Sequence, residues 1–394
     1  MKKLFGGAII CLVFLFTPVI SSLSLNAQQT PAGTESYYVR ANGDDKNDGL
    51  SEKKPFKTLT RALNVASRSS IKKITVIGKL VESVSTEDMA ASLTGRKNWD
   101  DANPSEVLVT GKPEAKSKEK AVLTVKKGHI LTVFNLLAIR LEHIEISGAN
   151  GAAAVRVMGG ELTLANGVKI FNNENLNGGS GGGVFLTHGG FLIMRDNAEI
   201  SNNQASVGGG FSLGDEGGGT SAILLDNALV AKNKAANGGG VVVGNSELVM
   251  KDDASVNNNS AVMNGGGINI QGGEVTLYDN ANIRNNFAIG NRNNMRAGGL
   301  GAGIFILNGK VTLRGNSLID RNQALLAGGG ICGWESAEII FYDSPKITGN
   351  RSEMYAGGVS LNKKAGGSLK LGPNVNLKNV IFNNEAPENP DLLD

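Results

Sequence analysis

The sequence is poor in cysteine, histidine and aromatic residues, and outside its first twenty positions it has no long apolar run. It carries two cysteines in 394 residues, and Cys11 lies within that first run. Cys332 therefore stands alone, and an internal disulfide framework is excluded. Stability has to come from packing. Only three histidines occur, His129, His143 and His188, and no zinc-ligand spacing, Walker-type loop or calcium-binding nonapeptide repeat accompanies them. Nine prolines and the lack of a Gly-X-Y period exclude collagen. A hydrophobic fraction of 41% with a net charge of +3 excludes a charge-swollen disordered chain. That small net charge also gives no reason to expect nucleic acid as a partner.

Met1-Lys2-Lys3 followed by the apolar run from Leu4 to Ile20 has the layout of a secretory signal peptide, with cleavage expected after Ala27. No later stretch approaches the ~20 apolar residues of a spanning helix, so no transmembrane span is expected in the mature chain.

What the sequence has in excess is glycine, 54 residues, and asparagine, 43. Nine of the glycines precede Gly148, so the excess belongs to the second part of the chain and points to a repeat. A twelve-residue module recurs there without internal insertion. It opens at Leu162, Leu192, Ala222, Leu248, Val275, Val311 and Ile339. After a turn it carries Ile or Val at 170, 200, 230, 256, 283, 319 and 347, and three residues later always asparagine: Asn173, Asn203, Asn233, Asn259, Asn286, Asn322 and Asn350. Glycine blocks then lead into Val184, Phe211, Val241, Ile268, Ile304, Ile331 and Val359, at intervals of 27, 30, 27, 36, 27 and 28 residues.

No such unit can close a core alone. Stacked in register about 4.8 Å apart, the units would pair each strand with its equivalents and form one continuous apolar interior. The pattern predicts an all-β fold: a right-handed parallel β-helix, a solenoid of three strands per coil, spanning 121–385. The constant asparagines are expected to stack at a corner, amide to amide. The glycine blocks fit a corner that needs positive φ or close backbone approach. Residues 386–394 read as a polar tail, and 83–120 as an irregular excursion.

Residues 37–80 precede the repeat. Tyr37 to Arg40 reads as a strand, Asn42 to Gly49 as a loop dense in turn formers, and Leu59, Ala62, Leu63 and Ala66 as one helix face with Thr58 as N-cap. This opening resembles that of secreted right-handed parallel β-helix proteins of the pectate-lyase-like fold, in which the helix plugs the N-terminal end of the coil. The resemblance implies the fold and leaves activity open, because lyases, epimerases and non-enzymatic surface proteins share it. The paired [Ile/Val]-x-x-Asn and Gly-Gly-[Gly]-[Ile/Val] motifs over 162–359 are similar to repeats of the polymorphic outer-membrane protein family, whose members are surface adhesins. Two departures stand out: Ile or Val replaces the family's Phe, and no segment reads as a membrane barrel.

Candidate sites follow from the columns. Asp196, Asp226, Asp252, Asp279 and Asp343 recur at one turn, either as a cation ladder or, more simply, as Asx-turns. Ca2+ is the one ion considered, there and at Asp44, Asp45 and Asp48; no cofactor is expected. Thr187-His188-Gly189-Gly190 reads as a turn without a catalytic partner. On the strand after each glycine block, Phe185, Val242, Phe305 and Cys332 point outward and would form a modest exposed stripe, with Cys332 either a reactive thiol or a covered, inert one. The loops Gly214 to Ser221 and Phe287 to Leu300 exceed the repeat, and long loops on a rigid scaffold are where binding tends to reside. Arg292 and Arg296 on the second loop, with Trp334 and Tyr355, are the candidate contacts for a surface glycan or protein ligand. The function expected is a secreted or surface-displayed, non-catalytic, adhesin-like or structural envelope protein of a Gram-negative-type bacterium, on the outer membrane or in the periplasm. The alternative is a polysaccharide lyase or epimerase on the same fold.

Overall fold

A computed structural model describes residues 36–394 apart from 88, 90–105, 116, 135–136, 215–217, 295–297, 390 and 394. The expected signal peptide and Arg296 lie outside the described residues. Among the described residues no helix is long and apolar enough to cross a membrane.

The chain is nearly all-β, with long parallel sheets compatible with a β-solenoid. Its strands lie in sheets of 21, 11 and 7 members, and the register is the one the columns predict. Val184 pairs with Phe211, and the series continues through Val241, Ile268, Ile304, Ile331 and Val359. Leu162, Leu192, Ala222, Leu248, Val275, Val311 and Ile339 form a second series in the same sheet. Ile170 to Ile347 form the third, in the 11-stranded sheet. These residues are fully or almost fully buried in one continuous core.

A typical repeat contributes four short strands: Val184–Thr187, Phe191–Met194, Glu199–Ser201 and Gln204–Val207. The fourth is only two residues long in later repeats, as at Lys234–Ala235, too short to show alternation in a sequence.

The asparagine corner is a directed ladder. From Asn173 to Asn350, each Nδ2 donates to the Oδ1 of the next asparagine at 2.9–3.1 Å. Each backbone N–H donates to that same oxygen. Asn384 is an eighth member, three residues after Ile381, which pairs with Ile347. Beside the ladder runs a second column of left-handed residues, Asn172, Asn202, Lys232, Asn258, Asn285, Arg321 and Asn383, with φ between 52° and 57°. Asparagine tolerates that conformation better than most residues, so the asparagine excess has two causes.

At the glycine corner the first residue of each block is left-handed; Gly238 has φ 62°, and a Cβ there would lie 2.3 Å from Val242 Cγ2. The second lies close against a neighbouring coil, so that a Cβ on Gly239 would lie 2.4 Å from Ser260 O.

At the N-terminal side, Ser36–Arg40 and Lys73–Ile77 pair in parallel. Helix Leu59–Ser67 buries Leu59, Ala62, Leu63 and Ala66 in the common core. Thr58 Oγ1 accepts from the Arg61 amide, Asp45 accepts from the Lys57 and Thr58 amides, and Glu82 accepts from Leu59 and Thr60. Within 83–120, Val107–Lys112 pairs with Lys73–Ile77 and Ala138–Glu142, so part of that segment belongs to the largest sheet.

The reading of 386–394 as a polar tail needs correction. Leu392–Leu393 pairs with Val359 and Ser360, and Asp391 takes part in the asparagine ladder. In the last repeat Leu369 and Leu371 continue the largest sheet, and Ile381 the 11-stranded one.

Candidate functional site

The aspartate column is used between coils. Asp226 Oδ2 accepts from the Asp196 amide at 3.0 Å, Asp252 from Asp226 at 3.1 Å, Asp279 from Asp252 at 3.3 Å and Asp343 from Gly315 at 3.0 Å. Each of these aspartates is left-handed. Their carboxylates therefore cap the neighbouring coil's turn rather than their own, which refines the Asx-turn reading. Asp44 and Asp48 accept from amides two residues on, as ordinary Asx-turns do. Among the described residues no group of three or more His, Cys, Asp or Glu side chains is arranged to hold a metal. His188 occupies a left-handed turn, with Nδ1 3.0 Å from Thr187 Oγ1.

The outward stripe is not exposed. Val242, Phe305 and Cys332 are all at least 95% buried, and Phe185 is half-buried. Alternation assigns their face correctly but cannot show what covers it, and here the left-handed glycine of each block folds over the residue four positions on. Cys332 packs with Leu300, Phe305 and Ala327, and Tyr355, Leu307 and Leu326 lean on that cluster. Burial pushes the Cys332 thiol up to about 12, against a smaller opposing effect of a hydrogen bond with Ser360. The thiol is thus covered and held in its protonated form, and Tyr355 packs against the same cluster. Tyr342, another late aromatic, stacks under the Arg314 guanidinium at 4.2 Å.

Four exposed large apolar side chains lie on or near the loop from Phe287 to Leu300. Phe287, which opens the strand Phe287–Ala288, and Val262, Met263 and Ile289, which follow the paired strands Ser260–Ala261 and Phe287–Ala288, are between 38% and 57% exposed on adjacent coils. No alternation in two-residue strands announces this patch. The loop leans toward later coils: a Cβ on Gly290 would meet Leu325, and Arg292 forms a 2.6 Å ion pair with Glu353. Beyond that pair opens a cleft of about 760 Å3 lined by Arg292, Arg351, Ser352, Glu353, Asn384 and Glu385, with Ala386 and Pro387 at its end. Ser352 and Asn384 are buried and spend their hydrogen bonds on backbone carbonyls and the ladder. Arg351 and Glu385 are exposed neighbours in register. The cleft therefore offers planar charged groups of both signs beside an apolar patch.

Of the four candidate contacts, Arg292 is in this cleft and Tyr355 lies behind it in the outer cluster. Trp334 is 45% exposed at the turn after Ile331–Gly333, in a different part of the repeat. Arg296 is outside the described residues.

A second polar group projects from the largest sheet near its start. Arg140 pairs with Glu142 at 2.7 Å, Thr163 Oγ1 donates to Glu106 at 3.1 Å, and Arg156 has a buried Nε without a partner. Burial, with a smaller push from the Glu106 carboxylate, holds the Glu161 carboxyl above its ordinary range. The strand register sets Thr163 beside Arg140 and Ala165 beside Glu142. Compared with known proteins, the chain matches no family model, no curated protein and no solved structure.

Proposed function

We propose that the protein is an exported, surface-displayed, non-catalytic β-helix: a right-handed parallel coil of three faces that presents a binding surface for a glycan or protein ligand. One observation carries this reading. The recurrent polar columns are committed to holding coil to coil, while the insertion that the loop from Phe287 to Leu300 makes in the repeat has exposed apolar side chains at its start and Arg292 in a charged cleft. Long loops on rigid scaffolds are where recognition concentrates. The likeness of the repeat to the polymorphic outer-membrane protein family and the signal-like leader favour display at a Gram-negative-type cell surface, with the periplasm as the other compartment. Screening the full chain against glycan and host-matrix arrays tests the reading. A specific ligand whose binding falls with Arg351→Ala or Ile289→Asp is the expected result, and binding indifferent to both would remove the surface from consideration.

A carbohydrate-active reading is supported by Glu161, a carboxyl kept above its usual range by burial and by the Glu106 carboxylate, as general acids are. Release of unsaturated oligosaccharides from uronate polymers, abolished by Glu161→Gln, would replace the display reading with this one.

A further inference from the structure

Around Asn384 the chain departs from every earlier coil. At seven rungs an asparagine amide is received by an asparagine 26–36 residues later. At the eighth, both the Asn384 amide and its Nδ2 donate to Asp391 Oδ1, at 3.1 and 3.0 Å, only seven residues on. Leu392–Leu393 then lies along Val359 and Ser360 in the place a following coil's strand would take, and the Val359 amide donates to Asp391 O at 2.8 Å. A short segment thus stands in for a whole coil. The acceptor position ends in a carboxylate, which suits a rung that needs an acceptor and has no further acceptor to serve.

The connection that allows this is short and exposed. Pro387, Glu388 and Asn389 are exposed, and Asn389 is held at φ 46°. Straightening that turn would remove the left-handed residue and release two backbone hydrogen bonds, from Glu388 to Met354 O and from Ala356 to Glu388 O, while each hydrogen bond made by Asp391 and Leu392 can be made by the same residues of another molecule. Hinge turns of this kind are where segments exchange between copies.

We propose that the Asn384 rung and the Val359–Leu361 edge form an acceptor site for an extended peptide with an acidic residue followed by apolar ones. In the monomer the chain's own Asp391 and Leu392 fill it; in a dimer the same segment of a second copy does. Two measurements test this. A full-length D391A/L392A variant, its own segment weakened, should bind a labelled synthetic peptide of residues 385–394 saturably, and the wild type far less. A peptide carrying Asp391→Ala should bind about tenfold or more weakly, the loss expected for a charge-assisted hydrogen bond. Sedimentation of the wild type at rising concentration should show a monomer–dimer equilibrium, and N389G, which relieves the closed turn, should shift it toward monomer. No peptide binding by a variant whose amide protection through Asn350 is intact would overturn the acceptor site. Peptide binding with a wild type that stays monomeric at every concentration would overturn the second copy as its occupant.

Discussion

An amide side chain donates at one end and accepts at the other, and the asparagine column needs both. Asn286 Oδ1 accepts from the Asn259 amide and Nδ2, while its own Nδ2 donates to Val256 O and Asn322 Oδ1. Asn286→Ala leaves buried groups on two coils unpaired and should cost about 3 kcal/mol. Asn286→Asp keeps the acceptor but sets a carboxylate against Asn322 Oδ1, so it should melt lower than the alanine variant in denaturant titrations at neutral pH. Asp391 escapes this penalty because its Oδ1 accepts from the Asn384 amide and Nδ2 and faces no other Oδ1 of the ladder. Titration gives a second residue-scale outcome. The folded chain holds the Glu161 proton more tightly than the unfolded chain does, so its contribution to stability is full below the ordinary glutamic-acid range and is lost as pH rises through the raised value. Glu161→Gln cannot ionise. Thermal melts of the two proteins should therefore converge at acid pH, with the variant more stable at neutral pH.

Among the elements, the strands are two to five residues long in most repeats, and what lies over them matters as much as their alternation. The inward series was legible because the same apolar types recur at fixed spacing on every coil. The cover over Phe305 and Cys332 was not, because it is made by glycine backbone and by Leu300 and Leu326 from irregular segments. The same limit hid the Val262–Phe287–Ile289 patch, which sits on and just after strands too short to have a period. Cys332 should accordingly resist alkylation in the native protein at mildly alkaline pH and react once denaturant unfolds the later coils. Mass spectrometry of iodoacetamide-treated samples would show it, and rapid native labelling would mean the outer cluster opens.

For the whole molecule, one apolar column serves every coil. Ile283 is fully buried between Val256 and Ile319. Ile283→Asp places an unpaired charge in that column and should cost more than about 4 kcal/mol. The loss should spread over several coils in circular dichroism and amide exchange; a local defect confined to residues near 283 would show that the coils melt independently. The parallel β architecture was legible because each repeat restates it. The last rung was not, since it swaps asparagine for aspartate and completes its bond across seven residues.

The one-way run of the asparagine ladder has a consequence for how the molecule is made. Each amide is satisfied by the coil that follows it in the chain, so during synthesis from the N-terminus the newest coil always carries two unanswered donors. Every added coil moves that debt forward by one rung, and Asp391 is where it is discharged.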